Sequence, residues 1–193
     1  MNVIELHPSG YPVHIDVPQH SIHGTGTAMR FELPVHGLNF PLVHRHEEKL
    51  IVALSGRLTI RCAKRVIAHL DSDQAVLLPA GTAHRIAQSG AHPSIVGIAL
   101  WPGAVEEAFR SVAAHVAKNG FRRESVIDIL KRYGIAWEAN PFNGDDCRSL
   151  VPAMARDLLD QLPRPLAAAI AVCWHASIYR RKNTSAPTDA SLP

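Results

Sequence analysis

Two short stretches carry the side chains best suited to chemistry. His44 and His46 stand two residues apart, and in a β-strand that spacing puts both imidazoles on one side of the chain. The run Pro79-Ala80-Gly81-Thr82-Ala83-His84 ends a later unit on a third histidine. Three imidazoles converging from two strand ends would hold one divalent ion, such as Zn, Fe, Ni, Mn or Cu, with water in any open position. Glu48 has the same strand parity as His44 and His46 and would turn inward with them if no bulge intervenes. Lys49 is the contrary signal, because an ammonium facing that place repels a cation. With 12 histidines in 193 residues, chance alone supplies roughly one His-x-His. The weight of the pattern therefore rests on the elements around it.

Those elements read as strands. Leu50 to Leu54 is an apolar run of strand formers, and Ser55-Gly56 turns it into Arg57 to Cys62. The second run alternates, with Leu58, Ile60 and Cys62 on one face and Arg57, Thr59 and Arg61 on the other. Lys64-Arg65 turns the chain into Val66 to Leu70, and Asp71-Ser72-Asp73 turns it again into Gln74 to Leu78. After the Pro79-Ala80-Gly81 turn, His84, Ile86 and Gln88 alternate with Arg85, Ala87 and Ser89. Thr27 to Leu33 and Ser94 to Leu100 read as an early and a closing strand. Val13 to Val17 reads as a strand at the edge of the sheet or against a second subunit.

In this setting the chain resembles the cupin family. His44, His46 and Gly56 match the first motif of that family, with Leu38 or Asn39 near its first glycine. Pro79, Gly81 and His84 match the second, where Asp73 stands for a glycine and Gln88 for an asparagine. The resemblance implies a mainly β fold, a double-stranded β-helix or jelly-roll barrel, with His44, His46 and His84 as metal ligands pointing into its mouth. The family's glutamate ligand is the one departure: counting back from Gly56 its place falls on Lys49 and counting forward from His46 on Leu50, and Glu48, upstream of both, is the candidate fourth ligand or catalytic general base. The helices after residue 102 look like the tail of quercetin-dioxygenase-like bacterial cupins, which implies oxygenase chemistry on a small oxygen-bearing substrate. The same barrel also serves as a non-catalytic or sensory pocket, in which the histidines and Lys49 hydrogen-bond a sugar or carboxylate. Fold alone does not choose between them.

The remaining chain bounds these readings. Its length suits a barrel over residues 1–102, a helical extension over 103–182 and a disordered tail over 183–193. Val105, Ala108, Phe109, Val112 and Val116 fall at helical spacing. A second helix spans Glu124 to Tyr133 with Gly134 as its cap, and two more are expected over Cys147 to Leu162 and Leu166 to Arg181. The apolar stretch Leu166 to Trp174 is far short of the roughly 20 residues of a membrane span. Met1 to His7 lacks the blocks of a secretory signal, and the expectation is a cytoplasmic homodimer with no membrane partner. The net charge of +3 is dispersed except at Arg180-Arg181-Lys182, which reads as a solvated helix end rather than a nucleic-acid patch. Three widely spaced cysteines point to no disulfide framework, and Cys62 on its apolar face reads as a buried thiol. His20 and His23, among glycines and a proline, read as surface histidines.

Overall fold

A computed structural model describes residues 2–7, 12–37, 39–137 and 148–179. Alternation of apolar and polar residues builds two facing β-layers. In the larger, the strands β1 (Val3–Ile4), β2 (Val13–Val17), β3 (Thr27–Leu33), β10 (Ser94–Trp101), β5 (Glu48–Ser55), β8 (Gln74–Leu78) and β12 (Ala153–Met154) lie side by side in that order. Opposite them, β7 (Arg65–Leu70), β6 (Leu58–Cys62) and β9 (Arg85–Gln88) form one sheet, and β4 (Leu42–His44) pairs with β11 (Ile135–Trp137). Every pairing is antiparallel. The fold is the expected double-stranded β-helix with C-terminal helices.

The strand period of two gives β5 two different apolar faces. Ile51 and Ala53 point into the barrel core, whereas Leu50, Val52 and Leu54 join a second core on the outer side. By the same count Lys49 faces inward. Turn geometry explains one match to the motifs and one departure from them. Gly56 has φ 77°, and a Cβ there would collide with Ser94 Oγ; only glycine fits both constraints. Asp73 takes φ 70° where the resemblance gives a glycine, and a short polar side chain tolerates that left-handed region best after glycine.

Helix α1 (Val105–Asn119) buries the predicted stripe of Val105, Ala108, Phe109, Val112 and Val116 against the barrel core, and α2 (Arg123–Arg132) adds Val126, Ile129 and Leu130. Buried Glu106 ties the start of α1 to the sheet. It accepts hydrogen bonds from Gln19 N at 2.5 Å and Thr27 Oγ1 at 3.2 Å and pairs with Arg110 at 2.8 Å. Gly134, at φ 73°, ends α2 in the left-handed conformation expected of a cap.

The outer core is closed by α3 (Ala155–Leu158), α4 (Arg164–Cys173) and α5 (His175–Ile178), with Leu166, Ile170, Trp174 and Ile178 buried against β5 and its neighbours. Trp174 lies over Gly97 of β10, so that a Cβ at Gly97 would stand 3.0 Å from both Trp174 Cη2 and Leu54 Cδ1. Gly97→Ala is expected to cost about 1–3 kcal/mol by overpacking, measurable by urea denaturation.

Three expectations need correction. The helix expected over Cys147 to Leu162 is, in its described part, the short strand β12, the single turn of α3 and a 3₁₀ turn over Leu159–Gln161. Pro152 disfavours the helical conformation at Val151 and lacks a backbone donor, and the segment instead pairs Ala153 with Ala75 and donates Ala155 N to Asp73 O at 2.9 Å. The last helix begins two residues early, at Arg164, and breaks at Trp174. Cys62 is buried as read, but it is disulfide-bonded rather than a thiol. The expected tail over 183–193 and the Arg180-Arg181-Lys182 cluster lie outside the described residues. None of the described helices is long and apolar enough to cross a membrane.

Candidate functional site

The first motif divides where the backbone bends. β4 ends at His44 and β5 begins at Glu48, with bends at Arg45 and His46 between them. A His-x-His pair shares a face only in an unbroken strand, so the parity that joined His44, His46 and Glu48 does not carry through. The bend is fixed from outside the motif: β11 pairs Ile135 with His44, and Arg45 N donates to Gly134 O at 3.2 Å. His46 is exposed and lies against Gly134, where an added Cβ would come within 2.7 Å of its Cδ2. Glu48 is exposed at the first residue of β5, paired with Trp101.

What the barrel does bring together is His44, Lys49 and His84. All three are buried, at 4 %, 4 % and 5 % exposure, in a protein whose lysines are otherwise surface residues wherever described. His84 sits on the turn after Pro79, and that turn is held to the first motif by Gly81 N donating to His44 O at 2.7 Å. His84 Nδ1 lies 2.9 Å from Thr82 O, and since a carbonyl only accepts, Nδ1 carries the ring proton. Nε2 is left with its lone pair, and Lys49 Nζ stands 3.1 Å from it as the donor. The proton positions thus follow from the partners alone.

Burial shifts all three groups toward their neutral forms. It lowers the Lys49 amine from 10.5 to about 7, against the opposing charge of Glu47. It lowers His84 from 6.5 to about 3, with Lys49 adding to the effect and the Thr82 hydrogen bond opposing it. His44 falls well below 6.5 through burial first, then through Lys49 and His84. Among the described residues Lys49 has no carboxylate within ion-pair distance. Glu47 is buried against Gly103, with Oε2 unpartnered, and burial raises its pKa.

These donors do not fit a divalent ion. A metal site needs three or more lone pairs aimed at one point. Here the His84 lone pair is directed at an amine, His46 and Glu48 face solvent, and the place of the motif glutamate holds Lys49. Among the described residues no group of three or more His, Cys, Asp or Glu side chains is placed to hold a metal.

Lys49 and His44 open instead onto a cavity of about 300 Å³ inside the barrel. Its wall is mostly apolar, with Met29, Phe31, Ile98, Leu100 and Phe109 from the strands and α1, Leu6 from the segment after β1 and Phe40 from the segment before β4. Asn39 and His7 are the other polar side chains lining it. Beside these lining residues, His7 meets Phe121 at 4.3 Å between ring centroids, Phe40 meets Trp137 at 4.8 Å, and the Arg123 guanidinium lies 5.7 Å from the Trp137 ring centre. Leu6, His7 and Phe40 are not among the motif residues, so the motifs did not point to them. The inward face of Lys49 agrees with the period-two count along β5, in which Ile51 and Ala53 also point inward.

No family profile matches the chain, and no curated protein matches it. Solved structures do. A predicted oxalate decarboxylase from Thermotoga maritima is 14 % identical, with a TM-score of 0.45 over 52 % of this chain and 90 % of that one. A cupin 2 conserved barrel domain protein from Salinispora arenicola is 14 % identical, with a TM-score of 0.44 over 56 % and 88 %. A protein with a double-stranded β-helix domain from Klebsiella pneumoniae is 14 % identical, with a TM-score of 0.44 over 51 % and 83 %. Some of the solved structures that this chain resembles are thus described as cupin or double-stranded β-helix proteins.

Proposed function

We propose that the barrel binds a small, largely apolar molecule with a carboxylate head, and that Lys49, not a metal ion, receives the head. The observation that supports this reading is the buried Lys49 amine, opening onto an apolar cavity without a carboxylate of its own among the described residues. A buried amine of this kind is a costly feature until an anion completes it. A carboxylate entering the cavity supplies the missing charge and makes a charge-assisted hydrogen bond worth about 1.5–3 kcal/mol. It also restores the amine to the ammonium form, so binding near and above pH 7 takes up a proton. Imidazole N–H or lone pairs from His44 complete the polar end. A sugar would need many more polar partners than this wall offers.

Titration calorimetry with straight-chain monocarboxylates tests the reading. Binding is expected with one site per chain, with an enthalpy that changes with the ionisation heat of the buffer, and with no response to a chelator. Binding that disappears on chelation and returns with Zn or Fe would instead support the metal-dependent cupin reading.

Chain-length preference follows from the wall. Leu6, Phe40, Leu42 and Phe109 line both the main cavity and a void of about 10 Å³ beneath α1 and α2. Phe40→Ala opens one into the other, and the preferred carboxylate is expected to lengthen by about two methylenes, each buried methylene being worth about 0.8 kcal/mol. An unchanged preference in the same calorimetric series would place the tail elsewhere.

A further inference from the structure

Resting on the reading of the cavity as a small-molecule site, we infer that Lys49 is also a nucleophile, forming an imine with an apolar aldehyde or ketone whose carbonyl carbon reaches Nζ. The geometry supplies each requirement in turn. A lysine attacks only through a free lone pair, and the surroundings that free it are a desolvating apolar pocket with no carboxylate to hold the proton. Lys49 lines such a cavity and has no ion pair among the described residues. Attack also needs a proton acceptor in contact with the nitrogen. His84 Nε2 is 3.1 Å away, and the Nδ1–H bond to Thr82 O keeps its lone pair turned toward Nζ. An imine is further protected from hydrolysis by apolar surroundings, and Leu6, Phe31, Phe40 and Phe109 line the same cavity as Lys49.

The step balances without an added reagent. The Nζ lone pair forms the C–N bond while the carbonyl π electrons move to oxygen, giving a carbinolamine. One proton passes from nitrogen to that oxygen, with His84 Nε2 as the carrier. Loss of the second N–H proton and of the hydroxyl then releases one water and leaves C=N. Nothing is oxidised or reduced, and hydrolysis reverses the sequence.

Reductive trapping tests this. The full chain is incubated with octanal and sodium cyanoborohydride, digested, and mapped by mass spectrometry. One N-octyl group is expected on the peptide bearing Lys49, formed at least about tenfold faster than on the exposed Lys64, Lys118 and Lys131, as a held carbonyl beside the amine requires. Lys49→Arg has no imine chemistry and should lose that adduct while the exposed lysines still react; Lys49→Met repeats the loss of adduct should the larger side chain disturb folding. His84→Gln should slow trapping at Lys49 and leave the exposed lysines unchanged. Adducts confined to the exposed lysines while octanoate still binds would overturn the imine and leave the binding reading standing. Neither adduct nor octanoate binding would overturn both.

Discussion

Lys49→Met is expected to abolish carboxylate binding and, in the same protein, to stabilise the unliganded fold. The side chain is 4 % exposed, faces an apolar cavity, and shares a hydrogen bond with His84. Methionine keeps much of its volume and brings no charge to desolvate. The sign with pH follows from the lowered pKa. Below about pH 7 the amine is protonated both folded and unfolded, and the full cost of burying the charge is present. Between about 7 and 10.5 the folded protein sheds the proton while the unfolded chain keeps it. The unfolded state then binds more protons, and stability rises with pH by at most about 1.4 kcal/mol per unit. The advantage of methionine, a few kcal/mol at pH 6, should therefore shrink across that window and vanish near pH 10.5. His84 and His44, also lowered, add a separate loss of stability as pH falls below 6.5 in either protein. Denaturant melts of both proteins at pH 6, 8 and 10 check the first effect, and calorimetry the second. A variant less stable than the wild type at pH 6 would mean that Lys49 is satisfied in the free protein.

Trp174→Ala should cost about 3–5 kcal/mol, the range for removing a buried aromatic. Its ring is 3 % exposed over Gly97, and Nε1 donates to Asp16 Oδ2 at 2.7 Å. Asp16 in turn pairs with Arg30 at 3.3 Å, so one side chain connects α4 and α5 to β2 and β3. Trp174→Phe keeps most of the packing and should lose about 1 kcal/mol from the hydrogen bond. Because Trp174 belongs to the outer core, octanoate affinity should be unchanged in both variants under conditions where they fold. A loss under 1 kcal/mol in the alanine variant, read from urea unfolding, would mean that these helices rest loosely on the sheet.

The barrel was legible in the sequence because its signals are local. Alternation along Leu58 to Cys62 and His84 to Gln88, and the turns at Ser55-Gly56 and Pro79 to Gly81, depend on neighbours a few residues apart. The same holds for the apolar stripe of α1. The candidate site was legible only in part because it depends on distant residues. Nothing near His44 or His46 announces that the chain bends there, since the bend is held by β11 and Gly134, about ninety residues further on. Counting parity through the bend put Glu48 on the same face as His44, whereas the structure leaves both Glu48 and His46 in solvent. Lys49 stood in plain view as the residue at the glutamate's place, and β5 points it inward as that place requires. The helix expected after Cys147 failed for a related reason: Asp73 and β8 offer the segment backbone partners that its own composition does not reveal.

The larger layer finishes, among the described residues, in two very short strands, Val3–Ile4 on one side and Ala153–Met154 on the other. A long bare margin would let a stranger's backbone dock and seed fibrils, whereas two residues give too few amide contacts to hold one. Resistance to that kind of self-association follows from how abruptly the ladder stops, independently of what the cavity contains.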